Sequence, residues 1–64
     1  MKVKVVGEVK AKDDFGYIMN IPPKTYDAVI DGVVRLQGPV RLWTVFLKNF
    51  QEAVEEKKIE ILEE

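Results

Sequence analysis

Residues 2–12, KVKVVGEVKAK, alternate strictly enough to constrain everything that follows. Val3, Val5, Gly7, Val9 and Ala11 occupy odd positions, while Lys2, Lys4, Val6, Glu8, Lys10 and Lys12 occupy even ones. Period two is the signature of a half-buried strand, here with an apolar odd face. Gly7 interrupts the packing line, so a bulge or bend is expected near Val6–Gly7. The next residues, DDFG, suit a turn, because Asp initiates turns and Gly accepts positive φ. A three-residue loop Asp14–Phe15–Gly16 sets Asp13 opposite Tyr17, Ala11 opposite Met19 and Val9 opposite Ile21, which keeps the apolar positions on one side. A two-residue loop would set Lys12 and Lys10 beside Tyr17 and Met19 instead. Pro22-Pro23 then ends the second strand, since proline cannot donate to a ladder.

Residues 23–31, PKTYDAVID, satisfy two patterns. Tyr26, Val29, Ile30 and Val33 fall at helical spacing between a proline and Gly32, which favours a short helix or helical turn. AVI-DG-VVRL also reads as a type I′ hairpin with Asp31-Gly32 at its tip. In either case a strand GVVRLQ follows. Beyond Gly38-Pro39, the positions Val40, Trp43, Phe46, Leu47, Phe50, Ala53 and Val54 recur at three- and four-residue intervals, with Arg41, Thr44, Lys48, Gln51, Glu52 and Glu55 off that line. The spacing predicts one amphipathic helix over 39–57. Ile59 and Ile61 alternate with Glu60 and suggest a last short strand, although without Gly or Pro the helix can also run on. The expected architecture is therefore one α+β domain over 1–64: a small antiparallel-type sheet packed on one long amphipathic helix, in the order β-β-(short α or turn)-β-α-β.

Sixty-four residues bury only about 60% of the surface the unfolded chain exposes, so a domain of this length is marginal alone. Disulfides and the usual zinc sites need Cys or His, and the chain has neither. Self-association is the remaining means of stabilisation, and a 47% apolar composition supplies surface for it. Val40, Trp43, Leu47, Phe50 and Val54 would form the stripe on the sheet. Leu42, Val45 and Phe46 lie on its flank, and these three are the expected homodimer interface. Trp43, Phe46 and Phe50 read as core before they read as a base-stacking platform.

The sequence also excludes chemistry. With no Cys, His or Ser, neither a Ser/His/Asp nor a Cys/His site can be built, and the four glycines are isolated, so no phosphate loop exists. Asp13-Asp14 reads as turn initiation. Asp27 and Asp31 would share a face if 23–31 were helical, where solvation and capping are the simpler roles. No catalytic, cofactor or metal site is expected, and no enzyme. Residues 1–48 carry eight Lys/Arg against five Asp/Glu, while 49–64 carry two Lys against six Glu, so the halves differ in sign although the net charge is −1. Lys2, Lys4, Lys10 and Lys12 project to one side, and beside Phe15 and Tyr17 they are candidate nucleic-acid contacts. Edge protection by lysines is the competing reading. The N-terminal segment alternates charge, and 38–50 is too short and too charged to cross a bilayer, so a cytoplasmic protein without membrane contact is expected. Abundant Lys and Glu with few Asn or Gln fits a thermophile.

Two resemblances point the same way as the lysine side. DDFGYIMNIP (13–22), LQG (36–38) and RLWTVFLKNFQEAVE (41–55) resemble the HicB-like antitoxin fold, which has a hairpin, a third strand, one helix and often a further strand. PKTYDAVID is longer than that family's usual connection, and the helix lacks its acidic start. GYIMNIPPKTYDAV (16–29) resembles the strand–Pro–short-helix element of AbrB/MazE-type swapped-hairpin DNA-binding proteins, with Tyr17 where a basic residue usually follows the glycine. Either resemblance implies a small nucleic-acid-binding regulator. This is the alternative to the leading expectation, a non-catalytic module acting by protein–protein association as a homodimer or with another protein.

Overall fold

The computed structural model describes residues 1–63. It contains β1 (Lys2–Val5), β2 (Lys10–Lys12), β3 (Ile18–Asn20), β4 (Thr25–Asp31), β5 (Val33–Gln37), β6 (Leu42–Phe46), α1 (Leu47–Glu55) and β7 (Ile59–Glu63). The strands form one sheet in the order β3-β2-β6-β5-β4-β1-β7, and every pairing is antiparallel. The expectation of a small sheet packed on a long helix is overturned. The described residues form a seven-stranded antiparallel sheet with one helix of 9 residues.

The sheet has to curl. Only residues 6–9 separate β1 from β2, yet β4, β5 and β6 stand between them in the sheet. Four inter-strand steps span about 19 Å in a flat sheet. The chain from Val5 to Lys10 reaches at most about 18 Å when fully stretched, and here it bends. The two halves of one N-terminal segment therefore draw the ends of the β4–β5–β6 meander together in the manner of a small barrel. Gly7 lies at the bend. Its N–H and that of Val6 donate to the Lys58 carbonyl at 3.1 and 2.8 Å. A Cβ at position 7 would stand 2.8 Å from Lys58 Cγ and 3.2 Å from Lys58 Cα, so the close approach excludes a side chain.

The first hairpin has the expected register. Ala11 pairs with Met19, Asp13 N–H donates to the Tyr17 carbonyl (2.9 Å) and Ile21 N–H to the Val9 carbonyl (2.9 Å). Gly16 takes a φ of 87° at the tip. Asp13 organises this turn: its Oδ1 accepts from the Phe15 and Tyr17 N–H groups at 2.9 and 3.0 Å.

Residues 25–31 are strand, not helix. Tyr26 and Ala28 face the core while Thr25, Asp27 and Val29 face out, a period of two that the mixed composition of 23–31 hid. The alternative hairpin reading of AVI-DG-VVRL holds, since β4 and β5 pair antiparallel around Gly32, but the turn is not type I′. Ile30 pairs with Val34 and Asp31 with Val33, and Gly32 alone has positive φ (74°), where type I′ needs two such residues.

The long helix over 39–57 divides at Phe46. Residues 42–46 are strand β6, with Trp43 and Val45 inward and Leu42, Thr44 and Phe46 outward, and Val40 lies in the connecting turn, 85% exposed. Phe46 is extended (φ −62°, ψ 141°) and precedes the helix without a side-chain cap. Strand thus passes into helix with none of the usual start signals. The helix ends in a Schellman motif. Lys58 N–H donates to the Ala53 carbonyl (2.8 Å) and Lys57 N–H to the Val54 carbonyl (3.1 Å). Lys57 itself holds the left-handed position, φ 61°, that glycine usually fills. Ile59–Glu63 is a strand, as its alternation suggested.

The core collects the inward residues of every strand except β3: Val3, Val5, Ala11, Tyr26, Ala28, Val34, Leu36, Trp43, Val45 and Ile59, with Val9 and Ile21 from the connections. Phe50 and Ala53 of α1 close one end, and Leu47 and Val54 pack against them half-buried.

Candidate association surface

The strand alternation that buries Trp43 and Val45 turns Leu42, Thr44 and Phe46 outward. Lys10 and Lys12 of β2 lie on the same outer face, and so do their partners Asn20 and Ile18 of β3. Lys12 is also opposite Thr44 of β6. A groove of about 260 Å³ runs here, lined by Lys10, Lys12, Ile18, Val33, Thr44 and Phe46 among others. Ile18 is 63% exposed and Phe46 57%. The Lys12 ammonium stands 5.9 Å from the centre of the Phe46 ring, within range of a cation–π contact that is worth about 0.5–1 kcal/mol at an exposed site. Phe15, Tyr17 and Met19 of the same hairpin are exposed as well, but Met19, paired with buried Ala11, and Tyr17 lie on the opposite face from Ile18.

The three expected interface residues separate. Phe46 is exposed and Leu42 half-buried, both on the outer face, while Val45 is core at 1% exposure. Val45 therefore cannot meet a partner while the domain stays folded, because period two, not the helical period, governs its direction. The four lysines separate as well. Lys10 and Lys12 flank the groove. Lys2 and Lys4 stand four strands away, where Lys2 faces Asp27 and Glu63 and Lys4 faces Thr25 and Glu60 on the adjoining strands. Arg35 does not extend the basic area freely, since it lies 3.6 Å from Asp31. Such an exposed pair contributes little to stability, yet it offsets the charge.

Among the described residues Asp13 is the buried acidic one, its carboxylate occupied by the turn N–H groups and 3.9 Å from Arg41. Asp27 and Asp31 sit on one strand face rather than one helix face. Among the described residues no group of three or more acidic side chains comes together as a metal site would require. A second groove, about 240 Å³, is lined by Met19, Pro22, Tyr26, Pro39, Val40 and Trp43 among others. Its phenol is committed: the Tyr26 hydroxyl donates to the Pro22 carbonyl at 2.7 Å, and burial raises its pKa above the ordinary 10.0. No helix among the described residues is long and apolar enough to cross a membrane.

Sequence reasoning missed Ile18 as part of this surface. The signal was present: Phe15, Tyr17, Ile18 and Met19 place four large apolar residues in a hairpin too short to bury both of its faces. Comparison with protein-family models, with curated proteins and with solved structures finds no match to this chain.

Proposed function

We propose that this protein is a non-catalytic module that acts by protein–protein association, with a second copy of itself as the partner. The observation that carries this reading is the exposure of Ile18 and Phe46 on the outer face of the sheet, where both line one groove. Large apolar side chains exposed together around a groove mark an interaction site, where singly scattered ones need no explanation. The outward-facing residues of this face are Phe46, exposed, and Leu42, half-buried, with Ile18 added and Val45 removed. Mass measured by light scattering from micromolar to millimolar protein tests the reading. A rise from monomer to dimer, with a melting temperature that climbs with concentration, is expected. A monomer throughout would overturn it.

The contact of Lys12 with Phe46 favours a second reading, in which Lys10 and Lys12 touch phosphates and Phe46 stacks on a base. Magnitude counts against it. Two phosphate contacts give a log–log salt slope of only about −1.8 on duplex, against a slope several times steeper for a protein making 6–10 contacts. Lys2 and Lys4, facing Asp27, Glu60 and Glu63, do not add to it. Tight binding to generic duplex or single-stranded nucleic acid that Lys10→Glu with Lys12→Glu abolishes would establish this second reading instead.

A further inference from the structure

The two ends of the sheet are β3 and β7, and their free edges differ. β7 carries Glu60 and Glu63, charges of the kind that keep an edge from pairing with its own copy. β3 is Ile18-Met19-Asn20, with no charge and no proline, and all three residues are exposed. Its backbone direction can be derived. Asp13–Tyr17 and Val9–Ile21 are hydrogen-bonded pairs in the hairpin. Antiparallel ladders alternate bonded and non-bonded pairs, so Lys12–Ile18 and Lys10–Asn20 are non-bonded. The N–H and C=O groups of both Ile18 and Asn20 therefore point away from β2 to the open edge.

We infer that β3 is the self-association edge, pairing antiparallel with β3 of a second copy about a two-fold axis at Met19. This rests on the association reading above and places Ile18 at the contact, while Phe46 and Leu42 of β6, two strands in from the β3 edge, stay on the open face of the joined sheet. The pattern is self-complementary. Ile18 of one copy exchanges two backbone hydrogen bonds with Asn20 of the other, the axis repeats the pair, and Met19 meets its own copy between them. Both outward-facing residues are used, which no shift of register by one residue achieves. The two sheets become one, and the Ile18–Phe46 surfaces of the two copies lie on the same face of it. The axis also carries the tip of each hairpin toward residues 21–24 of the other copy: Phe15 toward Pro23, and Asp14 toward Lys24. Opposite charges meet twice. The exposure of Phe15 (80%) and Tyr17 (67%) in the single chain finds a reason in the same contact.

The tests are Asn20→Pro and a charge exchange. Proline at position 20 removes an N–H that the hairpin does not use, and edge strands tolerate proline where the N–H faces solvent. The variant loses two of the four inter-copy bonds and should dimerise at least about tenfold more weakly, with its circular dichroism unchanged. Asp14→Lys alone should weaken the dimer at low salt, and Asp14→Lys with Lys24→Asp should restore it, a rescue that misfolding does not produce. A wild-type dimer that Asn20→Pro and Asp14→Lys leave intact would place the interface elsewhere and overturn this inference while leaving association standing. An assembly larger than a dimer, as β3–β7 pairing between copies would build, overturns it too. A wild-type monomer at millimolar concentration overturns both.

Discussion

Asp13→Ala should be among the most damaging single changes outside the apolar core. The carboxylate is buried at the base of the first hairpin, accepts two backbone N–H groups at 2.9 and 3.0 Å, and lies 3.9 Å from the Arg41 guanidinium. Hydrogen bonds to a charged group contribute about 1.5–3 kcal/mol each when fully buried. Phe15 and Tyr17 are exposed, so water can reach their freed N–H groups and recover part of that. The ion pair adds little, because the Arg41 side chain is 48% exposed and the separation is long. The expected net cost is about 2–3 kcal/mol. For a domain of this size, that is a fall in melting temperature of about 8–24 °C. Asp13→Asn is the control. It keeps an oxygen for both N–H groups and loses mainly charge, so it should cost no more than about 1 kcal/mol. Thermal unfolding followed by circular dichroism at one fixed protein concentration measures both. Equal damage from Asn and Ala would show that charge, not N–H acceptance, holds the turn. An alanine variant within about 0.5 kcal/mol of wild type would show that the turn does not depend on Asp13.

Val45→Lys should unfold the chain, since it buries an ammonium where exposure is 1%, whereas Leu42→Glu should leave the monomer folded; equal tolerance in a urea titration would contradict the β6 alternation. Lys57→Gly should stabilise by up to about 1 kcal/mol, because it relieves the left-handed strain at φ 61°, and a lower melting temperature would refute that. Tyr26 ionises above 10.0 in the folded protein because burial disfavours the phenolate, while the unfolded chain ionises near about 10. The neutral phenol's contribution is thus intact below about pH 10 and lost as pH rises toward the folded value. Tyr26→Phe should cost about 1 kcal/mol at neutral pH through the lost bond to Pro22, and should flatten the alkaline decline in melting temperature. An unchanged decline would assign the alkaline sensitivity elsewhere.

What the sequence determined by itself is local and periodic. The odd face of 2–12, the hairpin over 9–21 with its loop length, Gly16 at the tip and the bend at Gly7 all follow from alternation and turn chemistry, which act between residues close in the chain. The absence of Cys, His and Ser likewise limited the site chemistry without any structure. What the tertiary structure decided is the fate of residues 23–31 and 39–57. Trp43, Leu47, Phe50 and Val54 satisfy the helical period, while Trp43 and Val45 also satisfy the strand period, and no Gly, Pro or capping side chain marks the junction at Phe46. Left-handed Lys57 similarly ends the helix without the glycine that would announce it. Such ambiguity is resolved by pairing: β5 offered β6 a full ladder, from Val33–Phe46 to Gln37–Leu42, and a helix over 42–46 would have left the β5 edge without it. The candidate surface shares that history. Lys2, Lys4, Lys10 and Lys12 lie on one side of one strand in the sequence, but the curl at Gly7 carries the first two to the acidic β7 edge and the last two to Phe46. Which side chains share a surface is set by contacts between residues distant in the chain, and a period read along the chain does not contain them.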